Sequence, residues 1–273
     1  MLTRTWRAIL LVATTLALLL AAELRSPDSA PAGPPPAGLP LRIAAASDLR
    51  FALEEVAARL RQTQPPVDVH VTYGSSGTFF AQLVNGAPFD LFMSADTDYP
   101  KQLAARGLTL PGSEFTYAIG RLVVWVPVSS PLDVETNGLQ LLVDPRVRHV
   151  AIANPATAPY GRAAEAAMRR AGVYDRVKPK FVLGENVAQS LQFVQSGSAD
   201  VGIVALSLAI APTLKDSGRY STLPVDTYPR MEQGGVILRS AVDAEAARAV
   251  RAFLIGDEGR SILKRYGFFL PGT

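Results

Sequence analysis

From Leu41 onward, short apolar runs suited to β-strands alternate with segments whose apolar residues recur at helical spacing, and this rhythm constrains the fold most. LRIAAA (Leu41–Ala46) reads as a buried strand, and Leu49, Leu53, Val56, Ala57 and Leu60 then follow with a period near 3.6. A second strand spans Asp68–Tyr73, where Val67, Val69 and Val71 alternate with polar residues. It runs through Gly-Ser-Ser-Gly (74–77) into a helical pattern, Phe79, Phe80, Leu83 and Val84, that stops at Gly86. FDLFMSA (Phe89–Ala95) is a third strand, with a helix expected over 100–106, and Phe115–Pro127 reads as two successive strands leaving this first block. A second block repeats the alternation. It has strands at His149–Asn154, Lys180–Glu185 and Val201–Leu206, and helices at Ala163–Ala171 and Val187–Ser196. A strand at Gly234–Leu238 precedes closing helices at Ala244–Leu254 and Glu258–Tyr266. Strands alternating with helices imply βαβ units and parallel sheets covered on both faces. The expected class is α/β, with two lobes, each a mostly parallel sheet flanked by helices, and a ligand cleft between them.

The N-terminus carries a different signal. Arg4 and Arg7 precede an apolar run, Ala8–Ala22, that ends in small residues, the pattern of an export signal over residues 1–22. The run is short for a bilayer span of about 20 residues, yet an uncleaved anchor stays open. Residues 23–40 hold six prolines between Pro27 and Pro40, a composition that suits an extended linker or tether rather than a packed core. Either way the folded part is expected outside the inner membrane, in the periplasm. The chain has no cysteine, which excludes disulfides, thiol catalysis, Cys-based metal sites and lipid attachment through an N-terminal Cys. Its 27 basic and 24 acidic residues become 24 and 22 once residues 1–40 are set aside, too even a balance to suggest a nucleic-acid partner.

Ligands of open α/β sheets bind at the carboxyl ends of the strands, so the strand-to-helix junctions are the places to look. Four stand out. AAASDL (Ala44–Leu49) puts Ser47 or Asp48 at an expected N-cap. Gly74–Gly77 places two hydroxyls and open N–H groups at a helix start, where Ser76 is either an ordinary cap or part of an anion cradle. NPATAPYGRA (Asn154–Ala163) sets Tyr160 between Pro159 and Gly161, and GENVAQS (Gly184–Ser190) opens a helix near Val187. Each alone is an ordinary turn or cap. Two fall in each block, and together they suggest an anion site in the cleft.

AAASDL, then YGSSGT with AQLVNGAPFDLFMSAD (Ala81–Asp96), resembles the periplasmic molybdate-binding proteins of ABC transporters. The same holds for PGSEFTYAIGRLVVW (Pro111–Trp125), NPATAPYGRAAEAAM (Asn154–Met168), ENVAQSLQFVQSGSADVGIVALS (Glu185–Ser207) and LKRYGF (Leu263–Phe268), so nearly everything from Leu41 onward takes part. The resemblance implies a type II periplasmic-binding-protein fold, with residues 41–120 and 232–273 in one lobe, 121–231 in the other, and a hinge of two crossing strands. It also implies a monomer that binds molybdate, and tungstate, without a cofactor and delivers it to an inner-membrane ABC permease. Carried over residue by residue, the ligand contacts fall on Ser47, Ser76, Tyr160 and Val187. They would meet molybdenum only as molybdate, through its oxygens. Ser47 and Ser76 would give hydroxyl and backbone donors, Tyr160 and Val187 backbone N–H groups. One departure stands out. Where many members of the family have a tyrosine in G-I-V-Y, this chain has Ala205. Tyr160 then has two roles open to it, filling the lost volume or supplying a hydroxyl.

A deprotonated tetrahedral dianion presents acceptors alone, so a pocket of donors fits it and disfavours a protonated competitor. Sulfate presents the same chemistry at a smaller radius, and a tethered oxyanion sensor would share the fold. Other chemistry finds less support. A serine hydrolase needs an elbow and a partnered histidine, whereas the chain has GSSG and only His70 and His149, both in or beside strands. Ser94–Asp98 (SADTD) reads as a helix cap at Asp96 or Asp98 rather than a carboxylate metal site, and no Gly-Lys of a P-loop occurs. Tyr73, Tyr117 and Tyr160 read as packing residues.

Overall fold

The computed structural model describes residues 40–272. The leader assigned to 1–22 and nearly all of the Pro-rich stretch at 23–40 lie outside the described residues. Two five-stranded sheets organise the chain. The first has the order β2-β1-β3-β10-β4, built from β1 (Leu41–Ala46), β2 (Val69–Gly74), β3 (Leu91–Ser94), β4 (Phe115–Gly120) and β10 (Met231–Ile237). The second has the order β7-β6-β8-β5-β9, from β5 (Leu122–Pro127), β6 (Val150–Ala153), β7 (Phe181–Gly184), β8 (Val201–Ala205) and β9 (Gly218–Thr222). In each sheet one strand, β10 or β5, runs against the others.

The first sheet is covered on both faces, and residue alternation along its strands decides which side chain goes where. Ile43, Ala45, Leu91, Met93 and Ile237 face α1 (Arg50–Leu60), α6 (Ala244–Ile255) and α7 (Asp257–Arg265), packing with Leu53, Val56, Val250 and Ile262. Ala44, Phe92 and Val236 point the other way, against Phe79 and Leu83 of α2 (Ser76–Val84) and Leu103 of α3 (Asp98–Ala105). Burying a side chain such as Phe92 contributes about 1.5–3 kcal/mol. The second core gathers Trp125, Ile152 and Ile203 with α4 (Pro159–Arg170) and α5 (Val187–Gln195).

The chain passes between the sheets twice. Only Arg121 separates β4 from β5, and residues 223–230 carry β9 into β10. The two crossings lie side by side. Gly120 pairs with Met231, the Leu122 N–H donates to Tyr228 Oη at 3.2 Å, and the Leu223 N–H donates to Leu122 O at 3.0 Å. Two such strands can flex together while each sheet stays rigid.

Strand β1 has the bounds expected from the sequence, and α5 begins at Val187. Helix α4 begins at Pro159, a turn before the expected Ala163, because a proline at the first helical position loses no needed hydrogen bond. Strand β9 had no counterpart in the pattern. It is a partly exposed edge strand, GRYST, with no apolar run to announce it.

Candidate functional site

All four junctions come together at the carboxyl ends of β1, β2, β6 and β7. Ser47, Ser76, Tyr160 and Val187 line one small cavity of about 10 Å³, and all four are buried. Its remaining wall comes from the same junctions, including Asp48, Ser75, Pro159 and Asn186, and from Ala95 just after β3. No lysine or arginine lines it.

Ser47 opens a three-residue 3-10 turn, Ser47–Leu49, and the residue at its cap position is Ala46, so neither Ser47 nor Asp48 serves as the expected N-cap. The Ser47 hydroxyl instead accepts from the Ala188 N–H at 3.3 Å, a contact between the two sheets' junctions. The Gly-Ser-Ser-Gly turn also differs from expectation. Ser75, not Ser76, holds the N-cap position of α2, and neither hydroxyl caps the helix. Ser76 Oγ accepts from the Ala95 N–H at 2.9 Å, which leaves its own hydrogen available to a ligand. Ser75 Oγ donates to Thr157 O at 2.7 Å, and the Gly77 N–H donates to the same oxygen at 2.8 Å. Gly77 has to be glycine for that approach. A Cβ there would stand 2.6 Å from Thr157 O and 2.6 Å from Tyr99 Oη.

The helix starts supply N–H groups that the helices themselves cannot satisfy. Several are taken. Thr157 O accepts from Gly77, Ala158 O from Gly161, and Asn186 Oδ1 from both Ala188 and Gln189 at 3.1 Å. Those of Ser76, Tyr160 and Val187 stand at the cavity, in the first turn of α2, α4 and α5. Three helix N-termini therefore converge on one space, each favouring negative charge.

Asp48 was singled out in the sequence only as a cap. It is 1% exposed, and its Oδ2 accepts from Gln233 Nε2 at 2.6 Å and from Tyr160 Oη at 2.9 Å. Its Oδ1 is buried without a hydrogen-bond partner. Burial pushes its carboxyl up to about 6, although the bonds from Gln233 and Tyr160 act to lower it. The Tyr160 hydroxyl is pushed well above its ordinary value by burial and by the facing Asp48. Of the two roles open to it, the hydroxyl thus takes a third, bonding Asp48. Ala205 ends β8, fully buried, in the same apolar cluster as Tyr160. Gln233, 185 residues from Asp48, had no signal in the sequence.

A larger cavity of about 490 Å³ opens at the mouth, lined by Asp96, Asp98, Arg162, Arg230 and Glu232. Its charges pair with one another, Arg162 with Asp96 at 2.7 Å and Arg230 with Glu232 at 3.2 Å, so it is the less suited to a dianion. Thr97, not Asp96 or Asp98, holds the N-cap position of α3, although Asp96 Oδ1 accepts from the Tyr99 N–H in its first turn at 3.1 Å. His70 and His149 are exposed, and neither lines the inner cavity. Tyr117 is buried and donates to Ser94 O at 2.8 Å, while Tyr73 donates to Arg50 O at 3.2 Å.

Two α/β lobes, a double crossing between them and a donor-lined cavity at the facing strand ends define a two-lobed solute-binding protein of the periplasmic-binding-protein class. The chain belongs to the family of bacterial extracellular solute-binding proteins, whose model matches residues 41–269. It is 40% identical over 200 residues to the molybdate-binding protein ModA of Rhodobacter capsulatus, covering 73% of this chain and 77% of that one. Over 230 residues it is 35% identical to the ModA of Azotobacter vinelandii, covering 84% and 90%. The solved structure of the Azotobacter vinelandii periplasmic molybdate-binding protein superposes with a TM-score of 0.79 at 34% identity, over 85% of this chain and 99% of that one. The family binds solutes and is not one of enzymes.

Proposed function

We propose that this protein is a receptor that closes on molybdate, and on tungstate, outside the inner membrane and passes it to an ABC-transporter permease. The carrying observation is the cavity at which both sheets' junctions meet, where donors converge and no cationic side chain intrudes. The names of the relatives favour molybdate over other tetrahedral oxyanions. Ser47 and Ser76 would donate through their hydroxyls, and Ser76, Tyr160 and Val187 through their N–H groups. Residues 41–120 with 232–273 would move as one lobe and 121–231 as the other, so that only the closed state brings all these donors onto one anion. Hydrogen bonds to an ionised group contribute about 1.5–3 kcal/mol each, and three helix termini add about 0.3–1 kcal/mol apiece. Net of desolvation and closure, such an array supports micromolar or tighter binding. The receptor works as a monomer without a cofactor. An export leader at 1–22 would deliver it to the periplasm, and retention of that segment would tether it.

The test is the unfolding temperature with millimolar molybdate, tungstate, sulfate or phosphate. A ligand at about 100 times its Kd adds ~2.7 kcal/mol, worth several degrees for a chain of this size. Molybdate and tungstate are expected to raise the transition. A shift with sulfate alone would reassign the receptor, and no shift with any of the four would end the oxyanion reading.

A further inference from the structure

Asp48, Tyr160 and Gln233 form a buried polar cluster beside the anion cavity, joined through side chains that the donor array does not use. They are 1%, 3% and 0% exposed and come from three elements, the turn after β1, the start of α4 and strand β10. Gln233 Nε2 also donates to Tyr160 Oη at 3.3 Å, so the three groups close a triangle. Asp48 is bound to the far sheet's side through its main chain as well, since Ser207 Oγ, just beyond β8, donates to Asp48 O at 2.7 Å.

We propose that Asp48 is a positioning residue: by accepting from Tyr160 and Gln233 it latches the closed cleft and holds the Tyr160 N–H at the oxyanion. Pro159 lacks an N–H, so Tyr160 carries the first donor of α4, and a hydroxyl anchored on Asp48 fixes how that residue is turned. Gln233 sits two residues past Met231, where the second crossing meets Gly120, so the latch ties the donor to the hinge. A carboxylate with no cationic partner is costly to bury, and such a group is kept only where its hydrogen bonds are made. Opening the cleft would return Asp48 to water and break both the bond that Tyr160 donates to Asp48 and the one it accepts from Gln233. The latch is therefore a property of the closed state. Its effect on ligand release rests on the oxyanion reading above, whereas its effect on closure does not.

The test compares Tyr160→Phe, Asp48→Asn and Asp48→Leu by stopped-flow association and dissociation of molybdate, and by small-angle scattering without ligand. Phenylalanine keeps the backbone donor and removes only the hydroxyl, while asparagine keeps an acceptor and leucine does not. Tyr160→Phe and Asp48→Leu are each expected to raise koff about tenfold, the scale of one lost hydrogen bond to a charged group. The association rate should stay within about twofold, because most interface losses appear in koff. Asp48→Asn is expected to restore near wild-type release, and the Asp48→Leu/Tyr160→Phe double variant to release no faster than either single variant. An unchanged koff, additive losses, or no rescue by asparagine would overturn the latch. Should leucine at 48 fail to fold, the comparison of Tyr160→Phe with Asp48→Asn still decides. Should the wild type bind no molybdate, the oxyanion reading fails alone, and scattering decides the latch. The latch then requires the unliganded wild type to scatter as the closed form and Tyr160→Phe to enlarge its radius of gyration, and an open wild type or an unchanged radius overturns it.

Discussion

Gly120 and Tyr160 fit together for want of a single methyl group: a Cβ on Gly120 would stand 2.6 Å from Tyr160 Oη and 2.8 Å from Gln233 Nε2. Gly120 is the last residue of β4, one step before the chain crosses between sheets. The crossing and the start of α4 thus share one space. Gly120→Ala should displace Tyr160 from Asp48 and strain the closed cleft, at the roughly 1–3 kcal/mol typical of overpacking. Calorimetric titration is expected to show molybdate affinity falling about tenfold or more on that scale. Adding Tyr160→Phe should recover part of the loss, since it removes the nearest atom. An alanine variant that binds like the wild type would show that the crossing tolerates more movement than this packing implies.

The buried carboxyl of Asp48 makes stability depend on pH. Its native value of about 6 lies above the usual carboxylate range near 4, because burial outweighs the bonds it accepts. Between those values the folded state holds a proton that the unfolded chain has lost, so stability falls as pH rises through about 4 to 6 and then levels off. A shift of that size corresponds to about 3 kcal/mol at neutral pH. Asp48→Asn should therefore unfold at a higher temperature than the wild type at pH 7–8, with the gap closing toward pH 4–5. Equal transitions at neutral pH would mean that Asp48 ionises without penalty.

The two serines of the Gly-Ser-Ser-Gly turn should separate in function. Ser76 Oγ already accepts from Ala95 and offers its hydrogen to the cavity, so Ser76→Ala should cost binding by roughly one charge-assisted bond, about 1.5–3 kcal/mol. Ser75 Oγ spends its hydrogen on Thr157 O, across the cleft, which Gly77 also serves. Ser75→Ala should thus cost only about 0.5–1.5 kcal/mol, the loss appearing in the off-rate for every oxyanion bound. Equilibrium and stopped-flow titrations of both variants check this. A larger loss at Ser75 than at Ser76 would reverse the assignment.

What the sequence made legible was local. The strand at Leu41–Ala46 and the helix start at Val187 were readable because an apolar run, or a cap followed by a periodic pattern, needs no distant partner. The four junctions were visible for the same reason. Lost to view was everything that depends on how one lobe meets the other. Ser75 and Ser76 look alike in sequence and both line the cavity, yet one spends its hydroxyl hydrogen on the far junction and the other accepts from Ala95 and keeps its own. Asp48 looked like a cap because Asp commonly is one, and its true partners lie 112 and 185 residues away. The periodic apolar pattern of α4 begins only at Ala163, whereas the helix itself starts at Pro159, because proline suits a first helical turn. The missed β9 is an edge strand whose residues are half in water, so no alternation marks it.

The central claim is that this cleft takes molybdate in preference to the smaller sulfate. Calorimetric titration with molybdate and with sulfate, at equal ionic strength and near neutral pH, tests it most directly. The account predicts a micromolar or tighter Kd for molybdate, about −8 kcal/mol or better, and sulfate weaker by about 100-fold or more. Equal affinities, or sulfate the tighter of the two, would contradict it.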